Sequence, residues 1–373
     1  MKLVIATPLY PPEIGGPATY AKILADGLPA KGIEVVVVKF SGVRHLPKPL
    51  SHYVYYRRVL KAARHADVVL ALDPVSVGLP AMKAAQKAGK SFVVKIVGDY
   101  AWEQGRQRFG VTAGLDDFNE TEVPVSVRAL QNVQTRVAAA ATRVIVPSEY
   151  VKTLVAKWGS PSRGFGGPSI PAERISVIYN AVLLPELPEP PDAILSLSRP
   201  LIVSVGRLVP WKHFDAIIDA VAALRAKGTQ ASLVIIGDGP LHSELQNYAA
   251  DKLGDSCRVI GMLPHADALA AVQAADVFVL NSSYEGLSHA LIEALMLGAS
   301  IIATDIAGNK EVVTHGENGL LTPVGDTQAL VGALEQILTD TPLRTRLAAH
   351  ARTSAGRFST ETMLSRTSDA LTL

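Results

Sequence analysis

The chain has 373 residues, 48% of them apolar, and a formal net charge of +2. That length exceeds what one hydrophobic core usually serves, so two domains are expected. The charge argues neither way about nucleic acid, but the absence of any RNP-like or zinc-finger pattern argues against it as a partner. A single cysteine, Cys257, allows no internal disulfide and fits a reducing compartment. No apolar run is long enough to cross a bilayer, and the chain enters an apolar stretch at Leu3 with no signal-peptide pattern before it. A cytoplasmic location is expected, with peripheral contact at the inner membrane face left open.

Residues 2–7 predict a short strand, followed by the turn-rich loop Pro8-Leu9-Tyr10-Pro11-Pro12-Glu13-Ile14-Gly15-Gly16-Pro17. A stripe of Tyr20, Ile23, Leu24 and Leu28 predicts the next helix, with Pro17 suited to its first position. Strand, glycine pair and helix start can cradle a phosphate, or can be a bare strand-to-helix connection. The third glycine of a dinucleotide fingerprint is missing, which argues against NAD. Residues 33–40 predict a Val-rich strand. Residues 44–64 are basic and tyrosine-rich, which reads either as a solvated helix face with a loop or as a surface for anionic headgroups. Residues 68–72 and 92–97 predict buried strands on either side of a helix that stops at Gly89. Gly98-Asp99-Tyr100-Ala101-Trp102-Glu103 then falls at the carboxyl end of a strand, where open α/β sheets place ligands. Asp99 is equally suited to a turn or a helix N-cap. Residues 103–123 predict a mobile loop and 143–146 a strand. Ser148 is an expected N-cap, residues 159–171 an expected surface loop, and 175–179 a strand. Pro185, Pro188, Pro190 and Pro191 disfavour helix and suit an interdomain linker.

The strand–helix alternation then restarts. Residues 201–205 predict a strand ending at Gly206-Arg207, with Lys212 just before a helix whose apolar face is Phe214, Ile217, Ile218, Val221 and Leu224. A strand over 233–236 ends in Gly237-Asp238-Gly239-Pro240. A short strand over 258–260 precedes Gly261-Met262-Leu263-Pro264. The apolar run 276–280 reads as a buried parallel strand. It leads through Asn281-Ser282-Ser283-Tyr284-Glu285-Gly286-Leu287-Ser288 into a helix that stops at Gly298. Glu285 lies in the turn and Glu293 two turns into the helix. A helix start offers unpaired N–H groups and the positive dipole end, which favour a phosphate. Two carboxylates around such an anion hole suit a ligand that is part phosphate and part polyol, and a nucleotide sugar is such a ligand. Residues 300–304 and 320–322 predict strands, 330–338 a helix, and the tail from Arg357 a last helix with Ser359 as cap.

Glu285 and Glu293, together with Val205-Gly206-Arg207-Leu208 and Lys212, and Ile236-Gly237-Asp238-Gly239-Pro240, resemble the ordered motifs of retaining GT-B glycosyltransferases, specifically family 4 (group 1). The resemblance covers nearly the whole chain. It implies two facing doubly wound Rossmann-like domains with an interdomain cleft that closes on the donor. An acceptor-side domain over residues 1–185 would carry the helix 357–373 packed back on it, and a nucleotide-sugar domain would span 186–356. It implies transfer of a hexose from a UDP- or GDP-sugar to a glycan or lipid-linked acceptor with retention, and the composition of the basic, tyrosine-rich segment 44–64 suits an acceptor or membrane surface. Arg207 and Lys212 would stabilise the leaving diphosphate, and the sequence holds no Asp-x-Asp for a metal, so no metal or other cofactor is expected. Glu285 would face the donor sugar and Glu293 the ribose. Gly15, Gly16, Gly206, Gly286, Leu287 and Ser288 would line the donor, the backbone of Met262 would meet the base, and Asp99 would stand near the reacting sugar. His213 replaces the family's usual glycine, and Leu287-Ser288 replaces its Phe-Gly. Two other readings share this architecture: a nucleotide-sugar 2-epimerase, for which no second acid/base constellation is found, and a binding protein that keeps the site without transfer.

Overall fold

Strand–helix alternation in both halves folds into two parallel sheets in a computed structural model, which describes residues 1–13, 15–115, 117–118, 121–159 and 170–372. The chain divides into one unit of Met1–Ala181 with Thr360–Leu373 and a second of Val182–Ser359.

The first unit runs β1 (Lys2–Thr7), α1 (Gly16–Gly27), β2 (Glu34–Lys39), α2 (Lys48–Ala63), β3 (Val68–Ala71), α3 (Gly78–Ala88), β4 (Ser91–Lys95), α4 (Tyr100–Arg108), α5 (Val125–Ala140), β5 (Arg143–Val146), α6 (Glu149–Ala156) and β6 (Ile175–Val177). The strands pair in parallel in the order β2-β1-β3-β4-β5-β6. Their side chains alternate between two apolar layers, as a sheet covered on both faces requires. Val4, Val69, Val94 and Val144 belong to the layer that includes Tyr55 and Val59 of α2. Leu3, Leu70, Val93 and Ile145 belong to the layer that includes Leu24 of α1 and Met363 and Leu364 of the last helix.

The second unit continues with α7 (Asp192–Leu195), β7 (Leu201–Val205), α8 (Phe214–Ala226), β8 (Ser232–Ile236), α9 (His242–Leu253), β9 (Cys257–Ile260), α10 (His265–Ala274), β10 (Val277–Leu280), α11 (His289–Leu297), β11 (Ile301–Thr304), α12 (Ala307–Lys310), β12 (Leu320–Thr322), α13 (Thr327–Thr339) and α14 (Thr341–Ser354). The final helix, α15 (Thr360–Thr372), returns to the first unit. The second sheet reads β9-β8-β7-β10-β11-β12, the strand order of dinucleotide-binding sheets, in which the order reverses between the first and fourth strands and ligands bind at the carboxyl ends there. The core of this unit is Ile202, Ile235, Val279 and Ile302 from the strands, packed with Phe214 and Val221 of α8 and Leu334 of α13.

Three local expectations change. Residues 103–123 are not a loop throughout, because α4 occupies Tyr100–Arg108. Mixed charge hides its periodicity, but Asp99 caps its start, and the Trp102 Nε1–H donates to Ala113 O at 3.0 Å, folding the following segment back on it. Pro17 is the second residue of α1, since Gly16 opens the helix. Glu293 is the fifth residue of α11, just over one turn in, because Ser288 caps that helix and delays its start to His289. Of the loop expected over 159–171, residues 160–169 lie outside the described residues.

Candidate active site

The reversal point of the second sheet brings two loops together. Val277 pairs with Ile202 and Phe278 with Val203, so β7 and β10 run side by side and end next to each other. The loop after β7 carries Gly206, Arg207 and a 3₁₀ turn over Pro210–Lys212. His213 then takes a left-handed conformation, φ 47° and ψ 49°, before α8. That is a conformation glycine adopts without strain, so the histidine is held there by its surroundings. Its carbonyl accepts from Asn281 Nδ2 at 3.3 Å, and Trp211 O accepts from Ser283 N at 2.8 Å, tying the two loops together.

Lys212 forms a short ion pair with Glu285 Oε1, and the same oxygen accepts from Ser282 Oγ at 2.8 Å. The lysine and glutamate side chains are only 15% and 13% exposed. A pair so covered is costly to break, because the survivor is left unpartnered away from water. Gly206 lies directly against it: a Cβ there would be 3.8 Å from Lys212 Nζ. Arg207, by contrast, is exposed and has no side-chain partner among the described residues. Ser288 is buried and its Oγ accepts from Leu291 N at 3.3 Å, which leaves its own hydroxyl proton to donate. Gly286 and Leu287 are half-buried between Glu285 and this cap. The start of α11, the paired Lys212 and the exposed Arg207, which has no side-chain partner among the described residues, thus follow the ends of the same two strands.

Residues that sequence reasoning missed hold this arrangement. A Cβ on Gly308 would come 2.0 Å from the carbonyl oxygen of Glu285, so the backbone of α12 packs directly on the site loop. The buried Asn309 donates from Nδ2 to both Thr304 O and Thr304 Oγ1 at 3.0 Å, and Thr304 in turn donates to Ser282 O. Gly237 has φ 147°, and a Cβ there would lie 1.9 Å from Gly206 O, so the end of β8 backs the β7 loop just as closely. Asp238 accepts from Gly239 N at 2.7 Å, a turn residue.

Glu293 lies on α11 with its side chain 16% exposed, and His265 Nε2 at the start of α10 is 2.7 Å from its Oε1. This hydrogen bond is the largest cause raising the histidine above its usual range, against partial burial. Nothing in the sequence pattern marked His265. Met262 is 81% exposed at the end of β9's loop.

The first unit has its own features at the carboxyl ends of its strands. Gly15 caps α1 with φ 150°, and Gly16 has open space around it. Asp99 is buried, and its Oδ1 accepts from Trp102 N and from Gln134 Nε2, both at 3.0 Å, which is the N-cap alternative. Glu103, one turn on, is pushed up to about 7 by burial first and then by Asp99 and Asp73. On α2, Leu50, Tyr53, Arg57, Lys61 and Arg64 are exposed at helical spacing on one side, while Tyr55, Val59 and Ala63 are buried on the other. Tyr53, Tyr56, Arg57 and Lys61 line an open depression of about 920 Å³. No acidic residue occurs between Glu34 and Asp67.

Comparison with known proteins agrees with this construction. Residues 191–354 match the family model for glycosyl transferases group 1, and residues 19–181 match that for a glycosyl transferase 4-like domain. The lipopolysaccharide core biosynthesis glycosyltransferase LpsE of Rhizobium meliloti is 37% identical over 163 residues, which are 43% of this chain and 46% of that protein. A Campylobacter jejuni enzyme named N-acetylgalactosamine-N,N'-diacetylbacillosaminyl-diphospho-undecaprenol 4-alpha-N-acetylgalactosaminyltransferase is 29% identical over 192 residues, 51% of each chain. This chain therefore spans about half the length of these curated relatives. The crystal structure of Anabaena Alr3699/HepE in complex with UDP superposes over 100% of both chains with a TM-score of 0.73 at 20% identity, a likeness of fold. The two matched models take in both units, and the chain belongs to the group 1, family 4-like glycosyltransferases.

Proposed function

We propose that the chain is a retaining, metal-independent glycosyltransferase that moves a hexose from a UDP- or GDP-sugar to a glycan or lipid-linked acceptor. The observation that carries this reading is the Lys212–Glu285 pair at the reversal point of the second sheet, with Arg207 in the same loop exposed and without a side-chain partner among the described residues. A diphosphate gains negative charge as it leaves a sugar. Arg207, Lys212 and the N–H groups at the start of α11 are the donors that meet such charge, each charge-assisted hydrogen bond contributing roughly 1.5–3 kcal/mol. In this role they do the work that a metal does in sites built on Asp-x-Asp, a motif the sequence does not contain.

The step runs as a front-face displacement. The acceptor oxygen bonds to the anomeric carbon on the side from which the diphosphate leaves. The carbon–oxygen bond to the phosphate breaks, and the acceptor proton passes to a phosphate oxygen, so configuration is kept. Glu285 holds the sugar hydroxyls, and Lys212 orients Glu285 while it also faces the phosphate. Glu293 accepts from the ribose hydroxyls, the backbone at Met262 meets the base, and Gly206, Gly286, Leu287 and Ser288 line the donor. Gly15 and Gly16, at the start of α1, are donor-binding residues in the same reading. Asp99 fixes the start of α4 at the carboxyl end of β4 and stands near the reacting sugar in this reading.

The names of LpsE and of the Campylobacter enzyme support a glycan or diphospho-undecaprenol-linked acceptor, and the UDP bound by the Anabaena protein supports a nucleotide donor. The exposed basic and tyrosine face of α2 suits an anionic bilayer, where such an acceptor resides.

The experiment is incubation of the protein in excess EDTA with UDP- and GDP-hexoses and a lipid-linked glycan, followed by NMR of the anomeric proton. A new glycoside with the donor's configuration is expected. An inverted glycoside, or an epimerised sugar nucleotide with no glycoside, would contradict the assignment.

A further inference from the structure

Glu293 makes a single hydrogen bond among the described residues, the 2.7 Å contact of its Oε1 with His265 Nε2. An ionised carboxylate only accepts, so Nε2 carries the proton. The two residues come from neighbouring helices: His265 opens α10 and Glu293 lies in the second turn of α11. The imidazole is 59% exposed and the carboxylate 16%. A mostly solvated ring therefore closes over one oxygen of a mostly covered acid. Oε2 carries no hydrogen bond, and a carboxylate offers about four acceptor positions, of which His265 uses one.

Among the described residues, His265 alone contacts Glu293 by a hydrogen bond or ion pair. On α11, the adjacent Ile292 and Ala294 are apolar and buried, and His289, one turn earlier, is exposed at the start of the helix. The neighbouring strand β7, which α10 also packs against, carries no ionisable side chain. The other charged residue in the first turn of α10, Asp267, makes no hydrogen bond or ion pair with Glu293. Without the imidazole, Glu293 has no group to fix its outer torsions, and a carboxylate aimed within a fraction of an ångström needs such support.

We propose that His265 is a positioning residue for nucleotide recognition: by gripping Oε1 of Glu293 it aims Oε2 at the 2′,3′-diol of the ribose. The inference rests on the reading of Glu293 as the ribose-binding acid. It assigns ribose selectivity to a pair of residues rather than to one glutamate, and it gives a purpose to the residue three positions after Met262, whose backbone meets the base.

The test is calorimetric titration of the full chain with UDP and GDP and with their 2′,3′-dideoxy counterparts, using wild type, His265→Ala and His265→Gln. Wild type should lose roughly tenfold or more in affinity when the diol is removed, the size of one or two hydrogen bonds to a charged group. His265→Ala should compress that ratio to about threefold or less while binding the dideoxy nucleotide as wild type does. Glutamine can place an N–H near the same oxygen, so His265→Gln should restore much of the ratio. An unchanged ratio in His265→Ala would overturn the inference. So would an equal loss of affinity for both nucleotides, which would mark a structural role. A wild-type protein that binds nucleotide but ignores the diol would instead defeat the ribose reading of Glu293, and the inference with it.

Discussion

Arg207 and Lys212 carry the same charge and stand in the same site, but they are built differently, and their substitutions should separate. Lys212 is tied to a covered Glu285, whereas Arg207 is exposed and partnerless among the described residues. Arg207→Ala should leave the melting temperature nearly unchanged, within about 0.5 kcal/mol of wild type, as surface changes usually do. It should weaken nucleoside diphosphate binding by roughly tenfold, the value of one charge-assisted contact. Lys212→Ala should do both, because it also strands Glu285, and a stability loss of about 1–3 kcal/mol is expected. Calorimetry and thermal unfolding on both variants check this. Equal destabilisation by the two would contradict the distinction. Gly308 gives a third prediction. A Cβ there would meet the carbonyl oxygen of Glu285 at 2.0 Å, so Gly308→Ala should cost about 1–3 kcal/mol by overpacking and displace the Glu285 loop. Wild-type melting with wild-type turnover would rule that out. The positions of Arg207, Lys212 and Glu285 after β7 and β10 were legible in the sequence because motif order marks those strand ends. Gly308, Asn309 and His265 were not, because each matters through a residue distant in the chain: Glu285, Thr304 and Glu293.

At the scale of elements, the strands read clearly because buried parallel strands are near-continuous apolar runs. Helices with a broad apolar stripe, such as α8 and α13, read equally well. The sequence assigns no element to α14, whose buried residues are only Leu347 and Ala351 in an otherwise polar, basic segment. A stripe that narrow is lost among the charges until Asp340, accepting from Leu343 N at 2.9 Å, is seen to cap it. The strand β4 holds an opposite kind of surprise. Its last residue, Lys95, is 2% exposed, and its Nζ has no hydrogen-bond partner among the described residues and lies 4.1 Å from the centre of the Tyr20 ring. Burial pushes its ammonium down to about 7. A lysine depressed on folding contributes stability above its unfolded value, near 10.5, and loses it as pH falls toward the folded value. Lys95→Met should therefore raise the melting temperature of the first unit by several degrees at pH 6, and the gain should shrink at pH 9. A gain independent of pH would show that folding does not change the protonation of the amine, and would contradict its depression.

For the whole molecule, alternation of strands and helices made two α/β units legible, but strand order was not, because pairing joins residues far apart in the chain. The two sheets in fact differ, β2-β1-β3-β4-β5-β6 against β9-β8-β7-β10-β11-β12, and only the second has the dinucleotide-binding order. The overall charge of +2 is equally uninformative, since it hides a segment from Val35 to Ala66 with no acid at all. No helix among the described residues is long and apolar enough to cross a membrane, and the surface that suits an anionic bilayer is the exposed basic face of α2. Flotation with vesicles of phosphatidylcholine, with and without about 30% phosphatidylglycerol, checks this. Binding should appear only with the anionic lipid, fade as salt screens it, and fall at least roughly tenfold in the combined variant Arg57→Gln, Arg58→Gln, Lys61→Gln and Arg64→Gln. Equal binding to both vesicles, or by the variant, would count against the surface.

The central claim is that Arg207, Lys212 and the start of α11 hold a nucleoside diphosphate without a metal. Calorimetric titration of the purified protein with UDP, GDP and ADP in excess EDTA tests it most directly. Saturable binding of one of the three, lost on Arg207→Ala and Lys212→Ala together, is the predicted result and names the nucleotide. Binding that appears only when a divalent cation is restored would contradict the account.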